Sequence, residues 1–149
     1  MGDGQQAIEQ LRERFPDAVV GSGAYGNQHW AEVGLDSLVE VCRSLRDEGY
    51  DYLVDVTAVH WPGEPQPIEL IYHLFSYERN DRVRIKSRAA EGQAVPTLTR
   101  LWDSAAWNER ETYDMFGIHF EGHPDLRRIL MPDDYTDFPL RKELPLYRG

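Results

Sequence analysis

The sequence predicts an α+β domain in which helices cover one face of a mixed or antiparallel sheet, followed by an extended, irregular C-terminal tail. Three observations predict this fold. Alternating apolar and polar residues mark three consecutive strands between residues 52 and 87, amphipathic helical patterns flank them, and prolines crowd the end of the chain. Its 149 residues are enough for one domain. We therefore expect an α+β domain over residues 1–120 and a tail over residues 121–149.

The N-terminal region is predicted to hold a helix and a β-hairpin. Apolar residues at helical spacing predict a helix around residues 5–15, and strands at 18–20 and 29–33 are joined by a glycine-rich turn at 21–27. This turn contains the spacing Gly-x-Gly-x-x-Gly, which binds a pyrophosphate when it opens a helix. The residues that follow it are typical of a strand, so a plain hairpin turn is favoured over a nucleotide site.

A second helix is predicted after Asp36 or Ser37, either of which could cap it, and Gly49 ends it. Cys42 lies on the apolar stripe of this helix, which favours a thiol buried in the core. It is the chain's only cysteine. An intrachain disulfide and an iron–sulfur cluster held by this chain's own thiolates are therefore both excluded.

Strands are predicted at residues 52–59, 68–76 and 82–87, because apolar and β-branched residues alternate there with polar ones. A helical region is predicted from residue 96 to residue 116, with a break near Asp103. The repeated prolines after residue 121 are incompatible with helices and unfavourable in sheets, which predicts the irregular tail.

The formal net charge of −10 repels a phosphate backbone, which argues against a nucleic-acid-binding or signalling module. The same charge argues against adsorption to anionic lipid. No stretch is long and apolar enough for a spanning helix, and the N terminus lacks the basic and apolar regions of a secretion signal. The sequence therefore predicts a soluble chain that faces the cytosol.

Two groups of residues could carry chemistry of their own. His119 and His123 have metal-ligand spacing, but the neighbouring glycines and proline rule out a regular helix there, so a metal site is disfavoured. Glu109, Glu111 and Asp114 could act as paired carboxylates. Arg110 lies four residues before Asp114, within ion-pair reach on a helix, so ion pairs are favoured over acids with a raised pKa.

The tail combines apolar residues and prolines with two basic pairs, at residues 127–128 and 141–142. Arginine beside aromatic and apolar residues is typical of protein-binding surfaces. The alternative is a solvated, partly ordered C terminus. The apolar content favours a segment that a partner protein holds.

Residues 109–118 and 123–130 resemble the hallmark of the 30-kDa subunit family of respiratory complex I, the NADH–quinone oxidoreductase. The continuations at 131–134 and 139–142 are similar to the family's C-terminal pattern. The resemblance extends over about residues 30–146, and the stretch from 109 to 130 is its most specific part.

The resemblance implies a scaffold subunit of the peripheral arm of a proton-translocating NADH–quinone oxidoreductase, with no catalytic residue or cofactor of its own. FMN, iron–sulfur clusters and quinone would bind to partner subunits. The expected partners are the 49-kDa-type large subunit, which helps form the quinone pocket, and other subunits of that arm. The residues expected to be structural or partner-binding are Glu109, Arg110, Glu111, Asp114, His123, Arg127, Arg128, Pro139, Leu140, Arg141 and Lys142.

By the same resemblance, membrane association would come only through the complex, on the cytoplasmic side of a bacterial inner membrane or on the matrix or stromal side of an organelle. Two alternatives stay open. The first is the equivalent subunit of a membrane-bound energy-converting hydrogenase. The second is a free-standing enzyme that uses Glu109, Glu111 or His123.

Overall fold

A computed structural model of the chain describes residues 3–26 and 28–124. Within them, three helices pack on one face of a five-stranded mixed sheet. The strands of this sheet are β1 (Val19–Tyr25), β2 (Gln28–Val33), β3 (Tyr52–His60), β4 (Ile68–Ser76) and β5 (Asp81–Ala89). The helices are α1 (Asp3–Arg14), α2 (Leu38–Asp47) and α3 (Ser104–Phe116), and a 3-10 turn at Leu35–Ser37 precedes α2. The α+β prediction is confirmed.

The five strands lie in the order β1-β2-β5-β4-β3. The β2–β5 pair is parallel and the other three pairs are antiparallel, which makes the sheet mixed. Burial alternates along β4 from Ile68 to Ser76, as it does along β5, because successive side chains of a strand point to opposite faces. One face of the sheet therefore belongs to the core, and the other is left uncovered by the helices.

The core lies between the helices and the buried face of the sheet. From the helices it takes Ala7, Ile8, Leu11, Leu38, Val41, Cys42, Leu45 and Ala105, and they meet strand residues such as Leu70, Tyr72 and Ile85. The predicted apolar stripe of α2 is confirmed, since its four members from Leu38 to Leu45 are fully buried. Burial also raises the pKa of the Cys42 thiol well above its usual value, which keeps it protonated and inert.

The predicted hairpin is confirmed, but its predicted turn was too long. β1 continues through the glycines to Tyr25, and only Gly26, with a φ of 61°, occupies the turn beside the undescribed residue 27. The glycines serve packing. Gly23 pairs with Trp30 of β2, and a Cβ at Gly23 would lie 2.8 Å from the indole ring. A strand rather than a helix follows the turn, so the geometry of a pyrophosphate site is absent from this hairpin.

Two further predictions need correction. Ser37 stands at the N-cap of α2 but makes no side-chain capping hydrogen bond. The helical region predicted from residue 96 begins at Ser104, because Val95–Pro96 forms a short strand, β6, that pairs in parallel with β7 (Phe120–Glu121). No helix precedes Asp103 in this region, so the predicted break near Asp103 is instead the start of α3. The helix ends at Gly117, whose φ of 77° favours glycine.

The boundary predicted between residues 120 and 121 falls inside β7, so ordered structure continues to the turn that follows it. Residues 125–149, which make up most of the predicted tail, lie outside the described residues, and the division into domain and tail stays a prediction. None of the described helices is long and apolar enough to span a membrane.

Candidate functional site

The motif between residues 109 and 118 lies on α3 and divides into an inward and an outward set of side chains. Glu109 is fully buried. Its Oε1 accepts a hydrogen bond from the Thr97 hydroxyl at 2.6 Å, and its Oε2 accepts one from the Leu98 backbone N–H at 2.8 Å. Leu98 opens the turn that leads to Trp102, so the carboxylate caps this turn and ties it to α3.

Burial raises the pKa of Glu109 to about 7, although the hydrogen bonds from Thr97 and Leu98 act in the opposite direction. The prediction that ion pairs would be favoured over acids with a raised pKa is therefore wrong for Glu109. Its partners are a hydroxyl and an amide, and neither brings the positive charge that would offset the loss of water around a carboxylate.

Asp114, the second acid of the inward set, is also fully buried. The ion pair predicted between Arg110 and Asp114 is not found in the described part of the chain. The Arg110 guanidinium lies instead beside the Trp107 ring, with its Cζ atom 5.9 Å from the ring centroid. Such a cation–π contact is typical of a partly exposed arginine next to an indole.

Hydroxyl groups of α3 bind the backbone of β3, which is an edge strand. Ser104 donates to the Leu53 carbonyl at 2.8 Å, and the Thr112 hydroxyl lies 3.3 Å from the Val56 carbonyl and 2.9 Å from that of Asn108. The Val56 N–H donates to the carboxylate of Asp55 at 2.9 Å. Three backbone groups of this edge strand, the two carbonyls and the Val56 N–H, therefore lie within hydrogen-bond distance of side chains.

The outward set of α3 faces solvent. The Trp107 side chain is 53% exposed. Glu111 lines a groove of about 320 Å³ between α3 and β3, together with Val56, Ala58, Met115 and Phe116. Trp107 lies four residues before Glu111 on the same helix, so the two side chains share a face of α3. An exposed indole and a largely apolar groove on one helix are typical of a surface where a protein partner docks.

His123 is drawn back onto α3. Its Nε2 lies 2.8 Å from the Ala106 carbonyl oxygen, so the ring donates from Nε2. His119 is exposed, and the part of the chain that the structure describes holds no group of three metal-ligating side chains. The geometry gives His123 a clear structural role, which is to hold the chain after β7 against α3.

The remaining site residues predicted from the sequence lie outside the described residues. They are Arg127, Arg128, Pro139, Leu140, Arg141 and Lys142. The sequence reasoning missed Thr97 and Ser104, which anchor Glu109 and the β3 edge. The available signal was weak: Thr97 lies at the start of the predicted helical region and Ser104 directly after its predicted break, where hydroxyl side chains commonly bind backbone groups.

A sequence model of the family described as "Respiratory-chain NADH dehydrogenase, 30 Kd subunit" matches residues 31–148. The chain belongs to this family. The resemblance seen in residues 109–130 is thereby confirmed.

Curated relatives agree. The chain is 42% identical over 148 residues to the C subunit of NADH-quinone oxidoreductase from Citrifermentans bemidjiense, covering 98% of this chain and 92% of that protein. It is 40% identical to the C subunit from Roseiflexus sp., over 97% of this chain and 85% of that protein. It is 45% identical to the C 2 subunit from Rhizobium meliloti, covering 89% and 74%.

Solved structures share the fold. A chain in the membrane-bound sulfane sulfur reductase, an archaeal respiratory membrane complex, is similar with a TM-score of 0.83 and 26% identity, covering 96% of this chain and 86% of that one. A trypsin-resistant fragment of Nqo5 is similar with a TM-score of 0.69 and 26% identity, covering 82% and 98%.

Proposed function

We propose that this chain is a non-catalytic scaffold subunit in the peripheral arm of a proton-translocating NADH–quinone oxidoreductase. It docks against the 49-kDa-type large subunit that helps form the quinone pocket. FMN, iron–sulfur clusters and quinone belong to the neighbouring subunits. The chain reaches the membrane only through the complex, on the cytoplasmic side in a bacterium or on the matrix or stromal side in an organelle.

One observation carries this proposal: the charged motif of α3 is divided between two tasks. Glu109 and Asp114 are fully buried, and Glu109 ties together parts of this chain. Trp107 of the same helix is 53% exposed, and the half-buried Glu111 lines the groove between α3 and β3. The inward residues hold the fold, and the outward ones form a docking surface. The tail residues Arg127, Arg128, Arg141 and Lys142 are proposed to bind the partner as well.

The first test is to tag the chain in its native cell, solubilise the membranes gently and identify what co-migrates. Recovery with flavin- and iron–sulfur-bearing subunits supports the proposal. A tagged chain found alone, with nothing from the membrane fraction, contradicts it. Trp107→Ala should lower recovery of the large subunit, because its exposed indole is lost from the docking surface. Trp61→Ala, which removes a 45% exposed indole from the turn after β3, is the matched control.

The tail is tested by truncation. The chain should be cut after Pro124, because β7 pairs with β6 and His123 contacts α3, and a cut at residue 121 would disturb both. The truncated chain should fold with wild-type circular dichroism but fail to enter the complex. Normal incorporation would remove the tail from the proposal.

A free-standing enzyme makes a different prediction. It requires that Glu111→Gln abolish activity while the complex stays assembled. A scaffold requires that any loss of activity follow loss of assembly. The ratio of NADH–quinone activity to the amount of assembled complex separates the two.

The second candidate is the equivalent subunit of another membrane-bound respiratory complex, such as an energy-converting hydrogenase. The similarity to a chain of the sulfane sulfur reductase complex supports this second candidate, because the two folds match over nearly all of the present chain. The relatives from Citrifermentans and Roseiflexus, at about 40% identity over nearly the full length, favour the NADH–quinone oxidoreductase. Nickel instead of flavin in the purified complex would reverse this order.

A further inference from the structure

The face of the sheet that the helices leave uncovered carries a row of positive charge. Arg82, Arg84, Lys86 and Arg88 occupy alternate positions of β5, so their side chains emerge on the same face. They are four of the chain's 16 lysine and arginine residues, in a chain whose formal net charge is −10. We call these four residues the basic row.

The two ends of the basic row differ in charge. At one end, Arg88 lies 4.0 Å from the carboxylate of Glu69, and Glu32 pairs in register with Lys86. At the other end, no described carboxylate forms an ion pair with Arg82 or Arg84. Arg84 donates instead to the side-chain oxygen of Gln28. Asp81 lies beside Arg82 in sequence and Asp55 pairs in register with His73, but neither forms an ion pair with the two arginines among the described residues. Part of the positive charge at the Arg82 end is therefore not held in ion pairs.

Several side chains next to the row carry no negative charge. The Lys86 ammonium lies 4.3 Å from the Trp30 ring centroid, and the Arg82 guanidinium lies 5.6 Å from that of Phe75. His73 pairs with Arg84 across the sheet. Burial, followed by the charge of Arg84, lowers the pKa of His73, so that the imidazole is neutral near pH 7.

Exposed aromatic side chains border the same end. The Tyr77 ring packs edge-on against Phe75 at 4.8 Å and lies 5.9 Å from the Tyr52 ring. Tyr77 is 69% exposed and Tyr52 is 40% exposed. A recess of about 380 Å³ opens beside them, lined by Gln28, Phe75, Asn80, Asp81 and Arg82. Asp81 is the one acid among these residues, and it accepts a hydrogen bond from Tyr50 at 2.8 Å.

Arginine and tyrosine are among the residue types that contribute most of the binding energy at protein interfaces, and both occur around this recess. We propose that this uncovered face docks an acidic segment of a neighbouring protein of the complex, whose carboxylates reach Arg82, Arg84 and Lys86 while its apolar groups contact Tyr77 and Tyr52. The inference rests on the proposed scaffold function and adds a second docking surface, separate from α3. An acidic protein segment fits better than a nucleic acid, because the chain's net negative charge repels a phosphate backbone.

The test uses the full chain in its native complex, with a photo-crosslinking amino acid in place of Tyr77. Mass spectrometry of the crosslinked product should identify a peptide of another subunit that is rich in Asp and Glu. In the Arg82→Glu, Lys86→Glu double variant the crosslink should fall at least about tenfold, since like charges would then face each other. Arg82→Lys with Lys86→Arg keeps the charge and should retain most of the crosslink.

Arg12→Glu with Arg43→Glu is the matched control, because it reverses two exposed charges on the helices that cover the other face. It should leave the crosslink unchanged. A crosslinked peptide without acidic residues, an equal loss in this control, or co-purifying nucleic acid crosslinked at position 77 would overturn the inference. If the wild-type chain assembles but charge reversal has no effect, this inference alone fails. If the wild-type chain enters no complex, the proposed function fails with it.

Discussion

The Glu109 carboxylate accepts a 2.8 Å hydrogen bond from the backbone N–H of Leu98, eleven residues earlier in the chain. The turn that starts at Leu98 lies between β6 and α3, and it has only short-range backbone hydrogen bonds of its own. A buried carboxylate thus binds this turn, which precedes the N-terminal end of α3. The protonation state of Glu109 consequently contributes to the stability of the segment that carries the family motif.

Glu109→Gln should change the pH dependence of stability. The pKa of Glu109 is about 7 in the folded chain and 4.5 in the reference state, so between these values the folded chain binds more protons than the unfolded one. The contribution of Glu109 to the free energy of unfolding therefore falls as pH rises from about 4.5 to about 7, by a total on the order of 3 kcal/mol. Urea unfolding of the wild-type chain and Glu109→Gln at pH 5 and pH 8 gives the free energy of unfolding at each pH. This free energy should fall less between pH 5 and pH 8 in Glu109→Gln than in the wild type.

Glu121→Gln, which removes a carboxylate from an exposed position, controls for the change in net charge. If the free energy of unfolding changed equally with pH in the wild type and in Glu109→Gln, Glu109 would not take up a proton in this range.

Tyr72→Phe should leave stability unchanged or raise it slightly. The Tyr72 hydroxyl is buried and has no hydrogen-bond partner among the described residues, so removing it relieves the cost of its lost hydration, about 1 kcal/mol. Tyr50→Phe is the matched substitution. The Tyr50 hydroxyl donates to Asp81 at 2.8 Å, and its loss should cost about 1–2 kcal/mol. Thermal unfolding of both variants tests this order, which would be refuted if Tyr72→Phe were the more damaging change.

Ser104→Ala should weaken the attachment of α3 to the edge of the sheet. Its hydroxyl donates to the Leu53 carbonyl at 2.8 Å, and without it this edge group must find water or stay unbonded, at a cost of about 1 kcal/mol. Ser37→Ala is the control, because Ser37 makes no capping hydrogen bond. Amide hydrogen exchange should quicken in β3 for Ser104→Ala alone. Equal effects of the two substitutions would argue against the role of this bond.

Gly23→Ala should displace the Trp30 ring. A Cβ at position 23 would lie 2.8 Å from that ring, so the ring must move or the hairpin must open, at a cost of about 1–3 kcal/mol. Gly21→Ala, on the same strand, meets nothing within 4 Å and should be tolerated. Chemical denaturation compares their stabilities, and the ring shift should appear in near-ultraviolet circular dichroism. Equal tolerance of both substitutions would contradict the close packing at Gly23.

The elements with clear periodicity were predictable from the sequence. The apolar spacing on α2 and the alternation along β4 follow directly from the geometry of a helix and a strand packed on one core. The extent of β1 was not predictable, because glycine is compatible with both a turn and a strand, and the ring of Trp30 decides between them only in three dimensions.

The candidate site was predictable in its residues and not in their environment. Glu109, Arg110 and Glu111 are adjacent in sequence, and nothing in the pattern reveals that the first is fully buried while the other two are half-buried. Tertiary contacts with Thr97 and Leu98 decide this. Likewise, the alternation in β5 predicted a half-exposed strand, but only the sheet order brings Trp30 and His73 to either side of its arginines.

The burial of Cys42 has a practical consequence. It is the chain's one thiol, and it is sealed inside the core with its proton retained. A cysteine introduced at an exposed position such as Tyr77 would therefore be the only sulfur open to maleimide chemistry. One fluorophore or spin label could then report from the chain at a known point, with no need to remove the native residue and disturb α2.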